Sequence, residues 1–493
     1  MHSQFTLEAS QRLPLADAAF RLLDYILDHD FLNGVFARHR GRSYEGTISF
    51  PLFVHLITDS ILGHQGSAHQ TFRHAQEDQS LAASIQAVYG KLRRVPIPLS
   101  TGLFTEAAAR LQEVGSFVAA HPLPASVASF RALGFDGKKL KYVVKRLKPL
   151  RGLQGNIYGG KLLIVQDLAT QQAIGAEAWP DGESGDTLLV PAAVDRVRTL
   201  PADRPRLWVG DRAFCDYKLL GLLSAGRDHF VVRYNTSCGF HPDETMPPRT
   251  GQDDVERPYR EEWGWLGQPK NPHRIRVRQI AITSPREDPL VFVTSLEDAD
   301  RYPAIDLLSL YRSRWEIETM FQQVVQTFDL RHLIGGTPQA TVFQSMLCLL
   351  LYNITLLIRD HVAVEAEREP ETISLKLLFD DVVRDLAGWS KVIGTDATLE
   401  LLRCTRILKP DELRRQVQER LAEAWTDRWV KAPTRRRPPK APLRAYICGG
   451  HSSVEKILHG KHQEIPFQAE KKKPIRKKKV KDPPPFETKK KHV

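Results

Sequence analysis

Apolar side chains in the first hundred residues recur at the spacing of an amphipathic helix. Phe20, Leu23 and Ile26 follow one another at steps of three, and Leu52 and Leu56 are four residues apart. Side chains three or four positions apart lie on one face of a helix, so each set predicts a buried helical face. We therefore expect a helical N-terminal domain over residues 1–120.

The apolar pattern changes near residue 128. Short apolar runs at 161–165, 207–209 and 230–234 are typical of strands, and helical spacing returns between them at 217–223. Alternation of strands with helices predicts an α/β domain, which we place at residues 128–360.

A stretch rich in glycine, proline and tryptophan interrupts this alternation at about 236–300. Arg274, Arg276 and Arg278 alternate there with apolar residues, which predicts an antiparallel β insertion with one basic face. Helical spacing then returns as one long helix over 303–326 and dominates a C-terminal region over 361–430.

The last stretch, 431–493, is rich in proline, lysine and arginine, with basic runs at 435–437 and 471–479. Such a composition buries too little apolar surface to order a chain, so it predicts a disordered basic tail. Nonspecific binding of nucleic acid and a merely solubilising role are both open for this tail.

Composition narrows the class of protein. The 493 residues are 42% apolar and carry a net charge of +12, which favours a polyanionic partner, nucleic acid before an anionic membrane. The five cysteines form no closely spaced pair, so neither a disulfide framework nor a zinc site is indicated. We find neither a signal peptide nor an uninterrupted apolar run of membrane-spanning length, and we expect a cytoplasmic protein without membrane contact.

Basic residues also end the N-terminal helical pattern. Lys91, Arg93 and Arg94 precede a proline-rich loop. Two interpretations are open: the side chains contact DNA phosphates, or they are the ordinary solvated charges of a helix end.

Three acidic residues do not fit the picture of solvated surface charge. Asp136 ends an apolar strand and Asp211 follows another, and the carboxyl ends of strands are where open α/β sheets place ligands. A strand-end aspartate alone is more often a turn residue. Glu318, however, shares a helical stripe with Tyr311 and Arg314 at the border of a core-facing surface.

Together the three carboxylates predict a site for divalent cations. Ligand sets made only of oxygen suit Mg²⁺ or Mn²⁺. Two such ions activate the attacking oxygen and stabilise the leaving oxygen of a phosphoryl displacement. Arg314 and Tyr311 are the candidates for holding an anionic substrate beside them.

The segments around these acids resemble the signature segments of the insertion sequence four family of DDE transposases. They read Asp-Gly-Lys-Lys at 136–139, Gly-Asp-Arg-Ala-Phe at 210–214 and Tyr-Arg-Ser-Arg-Trp-Glu-Ile-Glu at 311–318. Tyr311, Arg314 and Glu318 match the third segment in type and spacing. The family lysine seven residues after the glutamate is Val325 here, which removes a contact to DNA of about 1.5–3 kcal/mol.

This resemblance implies a fold and an activity. The fold would be a ribonuclease H-like catalytic core with a β insertion, and the protein would be a metal-dependent endonuclease of an insertion sequence. It would cut double-stranded DNA at the element ends and join the freed 3′-hydroxyl to target DNA, using two Mg²⁺ or Mn²⁺ ions held by Asp136, Asp211 and Glu318. By the same resemblance the protein acts as a homodimer, and the N-terminal domain is a candidate for binding the ends.

The roles of three tryptophans and two rival functions stay open at this stage. By the resemblance Trp315 stacks near the element terminus, or it simply anchors its helix; Trp263 and Trp265 are candidates for stacking on an unpaired base. The rivals are a catalytically impaired or domesticated DNA-binding descendant, for which Val325 is the first sign, and a nuclease without strand transfer.

Overall fold

The computed structural model describes residues 11–62, 67–115, 122–141, 147–151, 157–254, 256–284, 287–328, 334–392, 408–432 and 452–461. The predicted basic runs at 435–437 and 471–479 lie outside the described residues.

The helices of the described chain fall into an N-terminal set, four helices beside the sheet strands, and a C-terminal set. They are α1 Pro14–Ile26, α2 His29–His39, α3 Phe50–Leu62, α4 Ala68–Glu77, α5 Ile85–Leu92, α6 Ile97–Gly115, α7 Val190–Arg198, α8 Tyr217–Leu223, α9 Ala304–Ser313, α10 Trp315–Thr327, α11 Pro338–Glu365, α12 Leu375–Val392, α13 Pro410–Leu421 and α14 Val454–Leu458. The helices expected between residues 15 and 111 are thus confirmed.

The strands include every run that the sequence predicted. They are β1 Arg131–Lys139, β2 Ile157–Tyr158, β3 Lys161–Asp167, β4 Ala173–Trp179, β5 Arg206–Gly210, β6 His229–Arg233, β7 Phe240–Pro242, β8 Arg249–Gln252, β9 Pro258–Leu266, β10 Ile275–Ser284, β11 Glu287–Thr294 and β12 Ser452–Ser453.

Local capping chemistry explains where several helices begin. The Asp28 carboxylate accepts hydrogen bonds from the N–H groups of Asp30 (2.9 Å) and Phe31 (3.1 Å) at the start of α2. The Thr337 hydroxyl accepts from Ala340 N–H (3.3 Å) at the start of α11, where Pro338 holds the first helical position. These side chains satisfy N–H groups that have no partner inside the helix, and proline there loses no hydrogen bond.

Ten strands form one mixed sheet in the order β4-β3-β1-β5-β6-β11-β10-β9-β7, with β8 also paired to β9. The β4-β3-β1 pairs are antiparallel, whereas β1, β5 and β6 run parallel to one another. The antiparallel strands predicted over 236–300 are present, and they extend this sheet because β11 pairs with β6.

The sheet separates two layers of helices. Alternation along β3 shows this: Leu163 and Val165 pack with α7 and α8, whereas Leu162 and Ile164 face the large helical core. Further along the sheet, α9 covers the same face as that helical core. Successive strand residues point to opposite faces, so both faces of the central strands are buried and the runs are continuously apolar.

The N-terminal and C-terminal helices share one apolar core. Residues of α1–α6 and of α10–α13 belong to one apolar cluster, so the core is continuous across the predicted domain boundaries at 120 and 360. These boundaries and the one at 430 stay predictions. Among the residues that the structure describes, α11 is the one helix long and apolar enough to span a membrane, and its most apolar window lies wholly inside the protein.

The single helix predicted over 303–326 is two helices. Arg314 lies between α9 and α10, where its N–H donates to Tyr311 O (3.2 Å) and its carbonyl accepts from Ile317 N–H (3.1 Å). These bonds span three residues rather than four, which tightens the chain locally. The Arg314 backbone keeps a helical φ of −55°, so the helical spacing of the sequence runs through the break.

The expected basic face of the β insertion is wrong for its last two arginines. Arg276 pairs with Glu297 (2.7 Å) and Asp243 (3.0 Å). Arg278 is fully buried, and its Nε donates to Glu261 (2.6 Å). Their charges are compensated by acids on neighbouring strands and loops.

Part of the stretch predicted to be a disordered tail is structured. β12 pairs in parallel with β2, and α14 follows it directly. Val454 is fully buried in a small apolar cluster with Leu150 and Ile157. The composition of 431–493 is averaged over the whole stretch and hides this short apolar anchor.

Candidate active site

Asp136 and Asp211 lie on neighbouring parallel strands. The register of β1 and β5 pairs Leu133 with Trp208 and Gly134 with Val209, and Asp136 and Asp211 each lie two residues beyond the last of these pairs. β1 itself continues to Lys139, paired there with β3 alone. The prediction that Asp136 ends its strand is therefore wrong, but Asp136 does lie beyond the end of the parallel ladder.

Strand parity places both aspartates on the same face of the sheet. Val209, two residues before Asp211, packs in the cluster covered by α9, as does Ala132, four residues before Asp136. Residues an even number of positions apart point to one face. Both carboxylates therefore belong to the face that α9 and α10 cover.

Glu318 is brought to this face by close packing of α10 on β1. A β-carbon on Gly134 would lie 2.8 Å from Ile317 Cδ1, so the absence of a side chain at Gly134 lets the helix approach the strand. Ile317 is fully buried, while the side chain of Glu318 is 40% exposed. The predicted position of Glu318 at the border of the buried face is confirmed.

The pKa of Asp136 is raised to about 6. Burial is the main cause, and the neighbouring carboxylates of Asp186 and Glu318 add to it by like-charge repulsion. The Gly137 N–H, which donates to Asp136 Oδ1 (2.8 Å), and the Arg314 guanidinium act in the opposite direction. A second positive charge near this cluster would relieve the repulsion.

Asp211 is more open and is held from two sides. The Tyr311 hydroxyl donates to Asp211 Oδ1 (3.4 Å), and Arg233 Nη1 lies 4.0 Å from the same oxygen. Tyr311 is buried and its ring stacks on Phe292 with centroids 5.9 Å apart. Burial raises the pKa of the Tyr311 phenol, which keeps it a hydrogen-bond donor.

Arg314 is only 3% exposed and connects the two halves of the site. Its Nη2 lies 3.5 Å from Glu318 Oε1, and its guanidinium lies over the rings of Tyr311 (5.7 Å) and Trp315 (5.2 Å). Its Nε is buried without a hydrogen-bond partner within the described part of the chain. Trp315, by contrast, is 55% exposed, so the tryptophan and not the arginine is presented to solvent.

Sequence reasoning missed two residues of this site. Asp186 precedes α7, and its carboxylate lies against Gly137 so closely that a β-carbon there would overlap it. Arg233 ends β6, the next parallel strand after β5. A charged residue directly after an apolar strand was a usable signal for Arg233, whereas Asp186 lies in a polar loop with no local signal.

The donor chemistry of the three predicted acids fits a hard divalent cation, because all six ligand atoms are carboxylate oxygens. Within the described ranges, however, no three acidic, histidine or cysteine side chains lie close enough together to hold one ion. The three carboxylates instead lie apart on one face of the sheet. Arg314 lies next to Glu318, and Arg233 lies next to Asp211. Binding of a cation at one point would require these side chains to move toward each other.

The predicted basic residues of the N-terminal helices divide into two kinds. Lys91 is half-buried, and its Nζ donates to the carbonyl oxygens of Glu45 (3.1 Å) and Ile48, while burial lowers its pKa. Arg93 and Arg94 are exposed. Lys91 and Arg94 line a cavity of about 510 Å³ beside the 86% exposed Tyr44.

Three further residues singled out in the sequence, Val325, Trp263 and Trp265, differ in their exposure. Val325 is half-buried and packs on the helical core. Trp263 is buried and its Nε1 donates to Glu297 O (2.8 Å), which gives it a structural role. Trp265 is partly exposed, with the Arg274 guanidinium 4.3 Å from its ring.

Part of the chain matches the model of a known protein family. Residues 148–354, less than half of the chain, match the family model of the transposase DDE domain. The matched segment contains Asp211 and Glu318 and begins after Asp136. The chain therefore carries a segment similar to a transposase catalytic domain.

Particular relatives carry the same name. The chain is 22% identical over 160 residues to a protein of Sinorhizobium fredii named "Putative transposase y4zB", and the match covers 32% of this chain and 44% of that protein. Among solved structures, the piggyBac transposase in a synaptic complex with hairpin DNA is similar with a TM-score of 0.38 and 12% identity, over 87% of this chain and 86% of that one.

Proposed function

We propose that this protein is a DNA transposase of the DDE type, with Asp136, Asp211 and Glu318 as its catalytic carboxylates. The observation that carries the proposal is that Asp136 and Asp211 each lie two residues beyond the last pair of the β1–β5 ladder, while α10 packs on β1 and carries Glu318 beside Arg314. The match of residues 148–354 to the transposase DDE domain supports it.

The strand order supports a ribonuclease H-like core as the finer fold assignment. Three antiparallel strands, β4-β3-β1, continue into the two parallel strands β5 and β6, with helices on both faces. In open sheets with parallel strands, ligands bind beyond the carboxyl ends of those strands. Asp136 and Asp211 lie at this edge.

The proposed cofactors are two Mg²⁺ or Mn²⁺ ions held by Asp136, Asp211 and Glu318. When bound, such ions activate the attacking oxygen and stabilise the leaving oxygen of a phosphodiester. Tyr311 and Arg233 orient Asp211, and Arg314 holds Glu318, so these three act as positioning residues. Trp315 is exposed beside them and is the proposed contact to DNA.

The proposed substrates are double-stranded element ends and target DNA, with cleavage followed by transfer of the 3′-hydroxyl to the target. A homodimer in the DNA complex is part of the proposal and rests on the family resemblance alone. The match covers 44% of the length of the Sinorhizobium fredii protein. The substrates, the reaction and the homodimer are therefore proposals for this chain and need experiments on this protein.

Cleavage of end-bearing DNA tests the proposal. In Mg²⁺ or Mn²⁺ the wild-type protein should cut and join DNA, and Asp211→Asn should lose about 10²-fold or more of the activity, because changes even one step removed from a metal ligand reduce activity by about 10–100-fold. The matched control is Asp203→Asn, whose carboxylate is 80% exposed beside Arg204. Equal cleavage by wild type and Asp211→Asn would contradict the assignment.

One rival is favoured by specific observations. Val325 packs on the core where the family lysine stands, and within the described ranges no three ligands gather around a single point. A DNA-binding descendant without catalysis would bind DNA in the same assay but leave it uncut at every metal concentration. Cuts without joined products would identify a nuclease that lacks strand transfer.

A further inference from the structure

The segment 452–461 near the end of the chain is fastened to the loop that precedes α7. The Ser453 N–H donates to the Glu183 carboxylate (3.1 Å), and Lys456 Nζ pairs with the other oxygen of that carboxylate. Lys456 also lies 3.7 Å from Asp181, and the Ser453 hydroxyl accepts from Gly182 N–H (3.2 Å). Ser453 is fully buried, so its two bonds are shielded from water, whereas the Lys456 and Glu183 side chains are 37% and 28% exposed.

Two further contacts fix the segment to the sheet domain. β12 pairs with β2. Val454 fills the apolar cluster with Leu150 and Ile157. Gly182 packs so closely on Tyr158 of β2 that a β-carbon would overlap the tyrosine. The segment therefore packs with β2 and with loop 181–186 as one unit. We call residues 452–461 the C-terminal strap.

The loop ends at the catalytic strand. Asp186 lies against Gly137, the residue that follows Asp136, and a β-carbon at Gly137 would lie 1.7 Å from Asp186 Oδ1. The buried Lys161 holds this arrangement: its Nζ lies 2.5 Å from Asp186 Oδ1 and donates to Ser184 O (2.8 Å). The loop thus bounds the backbone of β1 at the position of the first catalytic carboxylate.

A second route leads from the strap to the same strand. Directly after β2, Gly159 N–H donates to Leu140 O (2.7 Å), and Leu140 N–H donates to Gly160 O (3.0 Å). Lys139, the last residue of β1, has its Nζ 4.9 Å from the Tyr158 ring. Both routes converge on β1 beyond the end of its parallel partner β5, where the strand has lost one neighbour.

We infer that the C-terminal strap is a positioning element of the active site, acting through Glu183 and Asp186 on the backbone that carries Asp136. This inference rests on the proposed function for the role of Asp136, but the mechanical coupling does not. Outer contacts that orient a metal ligand contribute to metal affinity although they do not touch the ion.

Lys456→Ala in the full chain tests the inference. Removal of the ion pair should speed amide hydrogen exchange of residues 181–187 by about two- to fivefold, as expected for an ion pair between partly exposed side chains. It should also raise the Mg²⁺ concentration for half-maximal DNA cleavage by about tenfold. DNA affinity without metal should not change, because Lys456 is paired with Glu183 and Asp181 and lies outside the basic runs at 435–437 and 471–479.

Lys376→Ala is the matched control, since Lys376 forms an exposed lysine–aspartate pair with Asp380 on α12 (2.9 Å). It should leave both readouts at the wild-type value. Val454→Asp gives a stronger release of the strap, and Glu183→Gln a weaker one, so the effects should follow that order.

The two readouts separate the possible failures. Unchanged exchange at 181–187 in Lys456→Ala would overturn the strap itself. Faster exchange with an unchanged metal requirement would overturn its coupling to Asp136. If wild-type protein cuts no DNA, the proposed function fails, while the exchange measurement still decides whether the strap holds the loop.

Discussion

Asp136 is partly buried and faces two other carboxylates, and this combination sets its protonation. Its pKa of about 6 means that in the absence of a cation the folded protein holds a proton there more tightly than the unfolded chain does. Asp211, which is 39% exposed and lies between Tyr311 and Arg233, has a different environment. The two aspartates therefore lie in different environments although both follow apolar residues of neighbouring parallel strands.

Asp136→Asn is expected to stabilise the metal-free protein in a pH-dependent way. The folded pKa of about 6 lies above the unfolded value of 3.8, so the favourable contribution of Asp136 is complete below pH 3.8 and is lost as the pH rises through 6. The advantage of Asp136→Asn should grow over this window to about 1–2 kcal/mol, less than the full shift implies because Asp136 is partly solvated. Urea unfolding in EDTA from pH 4 to pH 8 measures it.

Asp203→Asn, at an exposed site, is the control for this series and should show no such pH-dependent gain. A stability difference between Asp136→Asn and wild type that is the same at pH 4 and pH 8 would contradict the raised pKa.

At the scale of elements, the alternating arginines of β10 form ion pairs inside the β insertion and connect it to the residues before α9. Alternation put Arg276 and Arg278 on one face of the strand, as predicted, but acids on β9 and on the loops meet that face. Arg278 Nη1 also donates to Tyr302 O (2.7 Å), just before α9. Arg278 therefore links the β insertion to the residues just before the helix that carries Tyr311.

Arg278→Met should destabilise the protein by about 3–5 kcal/mol, because it leaves Glu261 buried without its partner. The double variant Arg278→Met/Glu261→Leu should recover much of the loss, since two apolar residues replace the pair. Thermal or urea unfolding of the single and double variants measures this.

Arg260→Ala removes an exposed arginine of the neighbouring strand, paired with Glu262 (2.7 Å), and should change stability little. A double variant no more stable than Arg278→Met would show that the link to Tyr302, and not the ion pair, holds the strand.

At the scale of the whole molecule, a net charge of +12 favours a polyanionic partner but does not say where that partner binds. Exposed Arg93 and Arg94 are available for phosphate contacts, whereas Lys91 is committed to the carbonyl oxygens of the loop before α3. The tertiary structure thus gives different surroundings to three basic residues that are close together in sequence.

Arg93→Ala and Arg94→Ala should each lower the slope of log K against log salt for DNA binding by about 1, because each removes one phosphate contact. Lys91→Ala should leave that slope unchanged and lower thermal stability instead. Titration of fluorescent duplex DNA at several salt concentrations measures the slopes. Unchanged slopes in both arginine variants would select the other interpretation, solvated charges of a helix end.

Sequence alone predicted strands β3, β5, β6 and β10, the helical N-terminal and C-terminal regions, and the chemical identity of the three carboxylates. Periodicity and strand-end placement are local properties, so β5, β6 and α8 follow from the residues that form them, and Glu318 follows from its spacing to Arg314. The tertiary structure decided which charges meet. The burial of Arg278 and Arg314, the approach of Asp186 to Gly137 and the docking of 452–458 on Glu183 all depend on partners distant in the chain. No local pattern encodes such pairings, because they arise only when strands and helices pack together.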